Sequence, residues 1–76
     1  MVRIYTTPNC IYCKLAKDFL KKNNIEYQEL NVGEDESALK EMIDKSHQLG
    51  VPVIEIGKEI FVGFNRAEIA KALDLK

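Results

Sequence analysis

The sequence predicts an α/β fold in a single domain, residues 1–76, with a four-stranded mixed sheet flanked by three helices in the order βαβ, then α, then ββα. Three observations carry this reading. A short β-branched run passes through a turn directly into a helical apolar repeat and out again into an alternating segment. Two short strand-like runs are separated by Gly57-Lys58 alone. An Asn65…Glu68 spacing then opens a last helical repeat. A strand, helix and strand joined by such short links form a right-handed parallel unit, to which a later hairpin adds antiparallel strands.

The elements follow in order. Val2 to Thr6 reads as the first strand, with Val2, Ile4 and Tyr5 supplying β-branched and aromatic bulk ahead of the Thr-Thr-Pro-Asn turn, and Tyr5 is expected in the core. From Cys10 to about Lys22 the apolar residues Ile11, Tyr12, Leu15, Ala16, Phe19 and Leu20 recur at helical spacing, ended by Lys21, Lys22, Asn23 and Asn24. Ile25 to Val32 alternates as a second strand, closed by Gly33. Asp35 is the expected N-cap of a helix from about Glu36 to Gln48, with a buried stripe of Leu39, Met42 and Ile43 and a stop at Gly50. Val53–Ile56 and Glu59–Val62 are strands, and a turn with Gly first favours type II′ and antiparallel pairing. Asn65 caps the last helix, which presents Ile69, Ala70 and Leu73 to the core.

Composition narrows the function. Hydrophobic residues at 46% and charged residues at 30% describe an ordinary folded domain. With 11 basic and 12 acidic side chains the net charge is -1, so no basic field exists to hold nucleic acid or an anionic membrane. Neither a membrane span nor a signal peptide is visible, and the expected setting is the cytoplasm, where thiols are kept reduced. A monomer is the default for so small a surface.

Both cysteines lie within one C-x-x-C, Cys10-Ile11-Tyr12-Cys13. A bridge between them closes a loop too small to stabilise the fold much, so redox chemistry or metal binding is the better reason for the pair. If the helix begins at Cys10, that sulfur lies beside unpaired N–H groups and the positive end of the helix dipole, which favour thiolate. Cysteines so placed titrate at roughly 3.5 to 7.5, against about 8.5 for a free thiol. Cys13, three residues on, can reach Cys10 while sitting deeper. Cys10 thus reads as the nucleophile, forming a mixed disulfide with substrate that Cys13 resolves, after which a second reductant restores the dithiol. Lys14 and Lys17 share the helix and read as solubilising. The competing reading is a zinc or iron-sulfur module using Cys10 and Cys13. Structural zinc wants four protein ligands, and beyond the two sulfurs there is one histidine, His47, placed near a helix C-terminus, plus scattered carboxylates. No metal site is assigned. A non-catalytic adaptor has no use for both cysteines.

Three stretches together make the chain resemble the glutaredoxin branch of the thioredoxin-like family over essentially its whole length. They are Ile4-Tyr5-Thr6 leading into Cys10-Ile11-Tyr12-Cys13, then Gly50-Val51-Pro52-Val53, then Val62-Gly63-Phe64-Asn65. The resemblance implies a cis peptide before Pro52, with Val51 beside the sulfurs, and a substrate site of Tyr12, Val51, Pro52, Gly63, Phe64 and Asn65. It implies no tightly bound cofactor, disulfide-containing proteins as partners, and glutathione as a possible reductant. The departures point elsewhere. Ile11 replaces the proline of C-P-Y-C members, and Thr7 stands where glutathione users carry a lysine. Val62-Gly63-Phe64-Asn65-Arg66 replaces their Gly-Gly and aspartate. Backbone N–H groups at Phe64 and Asn65, with Arg66, could still meet a carboxylate. Gly63-Phe64 also resembles NrdH-type redoxins, which implies a thioredoxin-reductase-type flavoprotein as donor, ribonucleotide reductase as acceptor, and Phe64 as a partner-contacting aromatic.

Overall fold

In the computed structural model, which describes residues 2–74, the chain runs β1 (Val2–Thr6), α1 (Ile11–Lys22), β2 (Gln28–Asn31), α2 (Glu36–Ser46), β3 (Val53–Ile56), β4 (Glu59–Val62) and α3 (Arg66–Ala72). This is the predicted βαβ-α-ββα order. The sheet order is β2-β1-β3-β4. β1 pairs parallel with β2, Thr6 opposite Asn31, and antiparallel with β3, Tyr5 opposite Val53; β3 and β4 form the hairpin. Gly57 carries the positive φ of 60° that the first position of a type II′ turn requires.

Alternation along the strands divides the apolar residues between two faces. Val2, Ile4 and Ile54 meet Ala16 and Leu20 of α1 and Ile69 of α3 on one side. Tyr5, Val53 and Val32 meet Ala38 and Met42 of α2 on the other. Ile4, Leu20, Met42, Ile54 and Ile69 are all 0% exposed, and each such side chain contributes roughly 1.5–3 kcal/mol by leaving water. The α2 face is also fastened by charge. Tyr5, buried as expected, donates its hydroxyl to Glu41 at 3.0 Å, and Lys45 donates to Glu41 at 2.8 Å, to Glu55 at 3.0 Å and to the Tyr5 oxygen at 3.3 Å. Arg3 closes the cluster on Glu41 at 3.1 Å. The Glu41 carboxylate is the main reason the Lys45 ammonium is held well above its ordinary range, and burial is the main reason the Tyr5 phenol is raised.

Four sequence expectations are corrected. The first helix begins at Ile11, because Cys10 has extended backbone (φ -101°, ψ 111°) and is its N-cap. The second strand is shorter than Ile25–Val32. Ile25 still closes α1 by donating to Leu20 O at 2.9 Å, while Asn24 takes the left-handed conformation (φ 58°) and donates to Lys21 O at 3.1 Å. That pair of bonds is a Schellman ending with asparagine where glycine is usual, and Ile25 packs back toward Leu20. The second helix stops at Ser46, not Gln48, because His47 is left-handed (φ 60°) and caps it by donating to Ile43 O. Along α1 the buried residues are Cys13, Ala16 and Leu20, while Ile11, Tyr12 and Leu15 of the apolar repeat face solvent. In α2 the fully buried pair is Ala38 and Met42, with Leu39 and Ile43 only half-buried.

Candidate active site

The turn after β1 delivers Cys10 to the tip of α1, and the helix then carries Cys13 inward. The two are joined as a disulfide with their Cα atoms 5.2 Å apart. Cys13 is 1% exposed, and Cys10 is intermediate. The sulfur of Cys10 does what a capping oxygen does at most helix starts: it accepts the backbone N–H of Cys13 at 3.1 Å. The Cys10 carbonyl meanwhile accepts the first helical bond, from Lys14 N–H at 3.2 Å. Two sulfurs in one helical turn are therefore unequal, one at the rim beside helix N–H groups and one underneath it.

Beside this tip lies a groove of about 330 Å³ lined by Tyr12, Val51, Pro52, Val62, Gly63, Phe64 and Asn65. The structure thus gathers all six residues expected to form the substrate site, from three separate parts of the chain, and adds Val62. Neither cysteine is in the groove wall; Tyr12, between them in sequence, is. The Val51–Pro52 peptide is cis, and the Pro52 carbonyl accepts Gly63 N–H at 2.8 Å, which ties the start of β3 to the end of β4. Gly63 has φ +79°, a backbone conformation that side-chain-bearing residues rarely adopt. Asn65 caps α3 by accepting Glu68 N–H at 3.2 Å, so its side chain is engaged in holding the helix while its backbone borders the groove.

Lys17 does not supply free positive charge to the thiols. It donates to Glu29 of β2 at 2.9 Å, and the buried Thr6 hydroxyl donates to the same oxygen at 2.8 Å. The Lys17 ammonium is the largest cause holding the Glu29 carboxyl below its usual range. Sequence reasoning missed this contact and Val62 as well, since nothing local pairs residues 17 and 29. Among the described residues, no group of three or more His, Cys, Asp or Glu side chains is arranged to hold a metal ion.

A cysteine pair at the tip of α1, on a β2-β1-β3-β4 sheet built in βαβ-α-ββα order, is the thioredoxin-like arrangement. Comparison with known proteins narrows the class. The glutaredoxin family model matches residues 2–62. A glutaredoxin-like 8.6 kDa protein in the rubredoxin operon of Clostridium pasteurianum is 47% identical, over 97% of this chain and 99% of its own length. The glutaredoxin-like protein NrdH of Lactococcus lactis is 32% identical, over 93% and 97%. The solved structure of the thioredoxin-like protein BC3987 superposes with a TM-score of 0.90 at 29% identity, covering 95% of this chain and 99% of that one. The chain belongs to the glutaredoxin family, whose members are thiol-disulfide oxidoreductases. No helix is long and apolar enough among the described residues to cross a membrane.

Proposed function

We propose that the protein is a dithiol disulfide reductase in which Cys10 attacks and Cys13 resolves. The observation that carries this reading is the inequality of the two sulfurs: Cys10 caps the helix at the rim, and Cys13 lies buried behind it. In the reduced protein, the N–H groups of the first turn favour thiolate at Cys10. That thiolate attacks one sulfur of a substrate disulfide, the substrate S–S bond breaks, and the departing sulfur takes up a proton. Cys13 then loses its proton and attacks the Cys10 sulfur, breaking the mixed disulfide and releasing the second substrate thiol. Substrate leaves reduced by two electrons, and the protein is left with the Cys10–Cys13 bond seen here. The groove of Tyr12, Val51, Pro52, Gly63, Phe64 and Asn65 holds the substrate chain beside the attacking sulfur. Its mixed apolar and backbone-polar lining suits an extended peptide. In this mechanism no bound cofactor takes part.

A second reading concerns the electron donor. Thr7 in place of a lysine, Gly63-Phe64 in the groove wall and the similarity to the Lactococcus NrdH protein favour a thioredoxin-reductase-type flavoprotein, which would recycle the Cys10–Cys13 bond at the expense of NADPH. Ribonucleotide reductase is then the corresponding acceptor. Use of glutathione instead would consume two molecules of it per turnover. The test is the rate at which oxidised protein is reduced by glutathione and, separately, by thioredoxin reductase with NADPH. Rapid reduction by the flavoprotein alone supports the second reading, and rapid reduction by glutathione alone overturns it.

A further inference from the structure

Phe64 forms a wall of two depressions. One is the groove walled also by Tyr12, Val51 and Pro52. The other, of about 220 Å³, is lined by Leu15, Asp18, Phe19, Lys22, Phe64 and Arg66. The α1 residues at positions 15, 18, 19 and 22 follow the i, i+3, i+4, i+7 spacing of one helix face, and that face meets the start of α3. The floor is apolar: the Phe19 and Phe64 rings stand 5.8 Å apart at 58°, and Leu15 beside them is 46% exposed. The rim is charged. The Arg66 guanidinium lies over the Phe19 ring, 5.5 Å from its centre, with Lys22 one helical turn beyond Phe19. Asp18 offsets one of these cations, so the rim keeps one positive charge although the chain as a whole carries -1.

We propose that this second depression is an extended subsite for polypeptide disulfides, taking an apolar side chain followed by a carboxylate from the segment that flanks the reacting cystine. The inference rests on the reading of the first groove as the substrate site. The occupant is set by continuity and by charge. A segment lying along the first groove passes Phe64 and arrives on Leu15 and Phe19, with an acidic residue between Lys22 and Arg66. The first groove, at about 330 Å³, is already of the size that encloses one small molecule, so a tripeptide thiol is accommodated without the second. The second depression therefore selects for protein substrates over small disulfides, and among proteins for acidic flanks.

The experiment uses prereduced protein in single-turnover reactions with three disulfides. Two are peptides identical around the cystine, one extended by Leu-Glu-Glu and one by Leu-Lys-Lys; the third is bis(2-hydroxyethyl) disulfide. The acidic peptide is expected to react about fivefold faster than the basic one at low ionic strength, with the preference fading as salt screens the rim. Lys22→Glu should abolish or invert that preference, and Leu15→Ala should slow both peptides together. Neither variant should alter the rate with bis(2-hydroxyethyl) disulfide, which also shows that each is folded. Equal rates for the two peptides in the parent protein, or an equal loss on both in Lys22→Glu, would overturn the proposal. Failure of the parent protein to reduce any of the three through Cys10 would instead overturn the dithiol mechanism beneath it.

Discussion

Ile69 joins the stability of the fold to the shape of the site, and its replacement gives a sharp prediction. The seven-residue α3 is too short to persist by propensity alone. It has one fully buried side chain, Ile69 at 0% exposed, packed with Leu20 and Ile54. Ile69→Val removes one buried methylene, worth about 0.8 kcal/mol in transfer and about 0.5–1.5 kcal/mol once the cavity is included. Ile69→Ala should cost about 2–5 kcal/mol, against a total of about 4–11 kcal/mol for a chain of this size. In thermal unfolding the valine variant should melt about 4–8 °C lower for each kcal/mol lost. Urea unfolding of the oxidised proteins, followed by far-ultraviolet circular dichroism, measures both losses, with the slope on urea unchanged. Because α3 also fixes Phe64 and Asn65 at the groove, KM for a peptide disulfide should rise in Ile69→Ala. The alkylation rate of Cys10, which α1 positions, should stay as it was. A loss below about 1 kcal/mol for Ile69→Ala would mean that α3 is not seated on the sheet as described.

Two further perturbations probe the charged contacts. Lys45→Met leaves Glu55, 18% exposed, with Arg3 at 3.9 Å as its nearest cation, and should destabilise by about 1–2 kcal/mol in urea; adding Glu55→Gln should recover part of this, and strict additivity of the two would contradict the cluster. Glu29 has a folded-state pKa held below its ordinary 4.5, first by Lys17 and also by the Thr6 hydroxyl. A depressed carboxylate contributes stability that is complete above the unfolded value and lost as pH falls through the folded one. The stability gap between the parent protein and Glu29→Gln should therefore be widest near neutrality and close below about pH 4.5; parallel acid limbs would refute the pairing.

Much of the fold was legible because local chemistry and tertiary packing agree. β3 and β4 fell where β-branched runs flank Gly57, and α3 opened where Asn65 precedes Glu68 by a capping distance. What escaped was decided by partners distant in sequence or by backbone geometry without a compositional signal. Ile25 alternates like a strand residue, yet its N–H completes the ending of α1. His47 adopts a left-handed conformation usually given to glycine or asparagine. Helical spacing placed Ile11, Tyr12 and Leu15 on α1 with the core residues, and only the packing separates the stripe that meets the sheet from the one turned to solvent. At the site, six of the seven groove residues were recoverable from resemblance, whereas the Lys17–Glu29 pair links segments that no pattern connects.

The division of labour between the sulfurs can be measured directly. Fully reduced protein at neutral pH is pulsed with a limiting amount of iodoacetamide, and the alkylated cysteine is identified by peptide mass mapping across a time course. The account predicts that Cys10 is modified much faster than Cys13, and that Cys13→Ser accumulates a mixed disulfide on Cys10 when offered substrate. Equal alkylation of both sulfurs, preference for Cys13, or a mixed disulfide found on Cys13 in Cys10→Ser would contradict it.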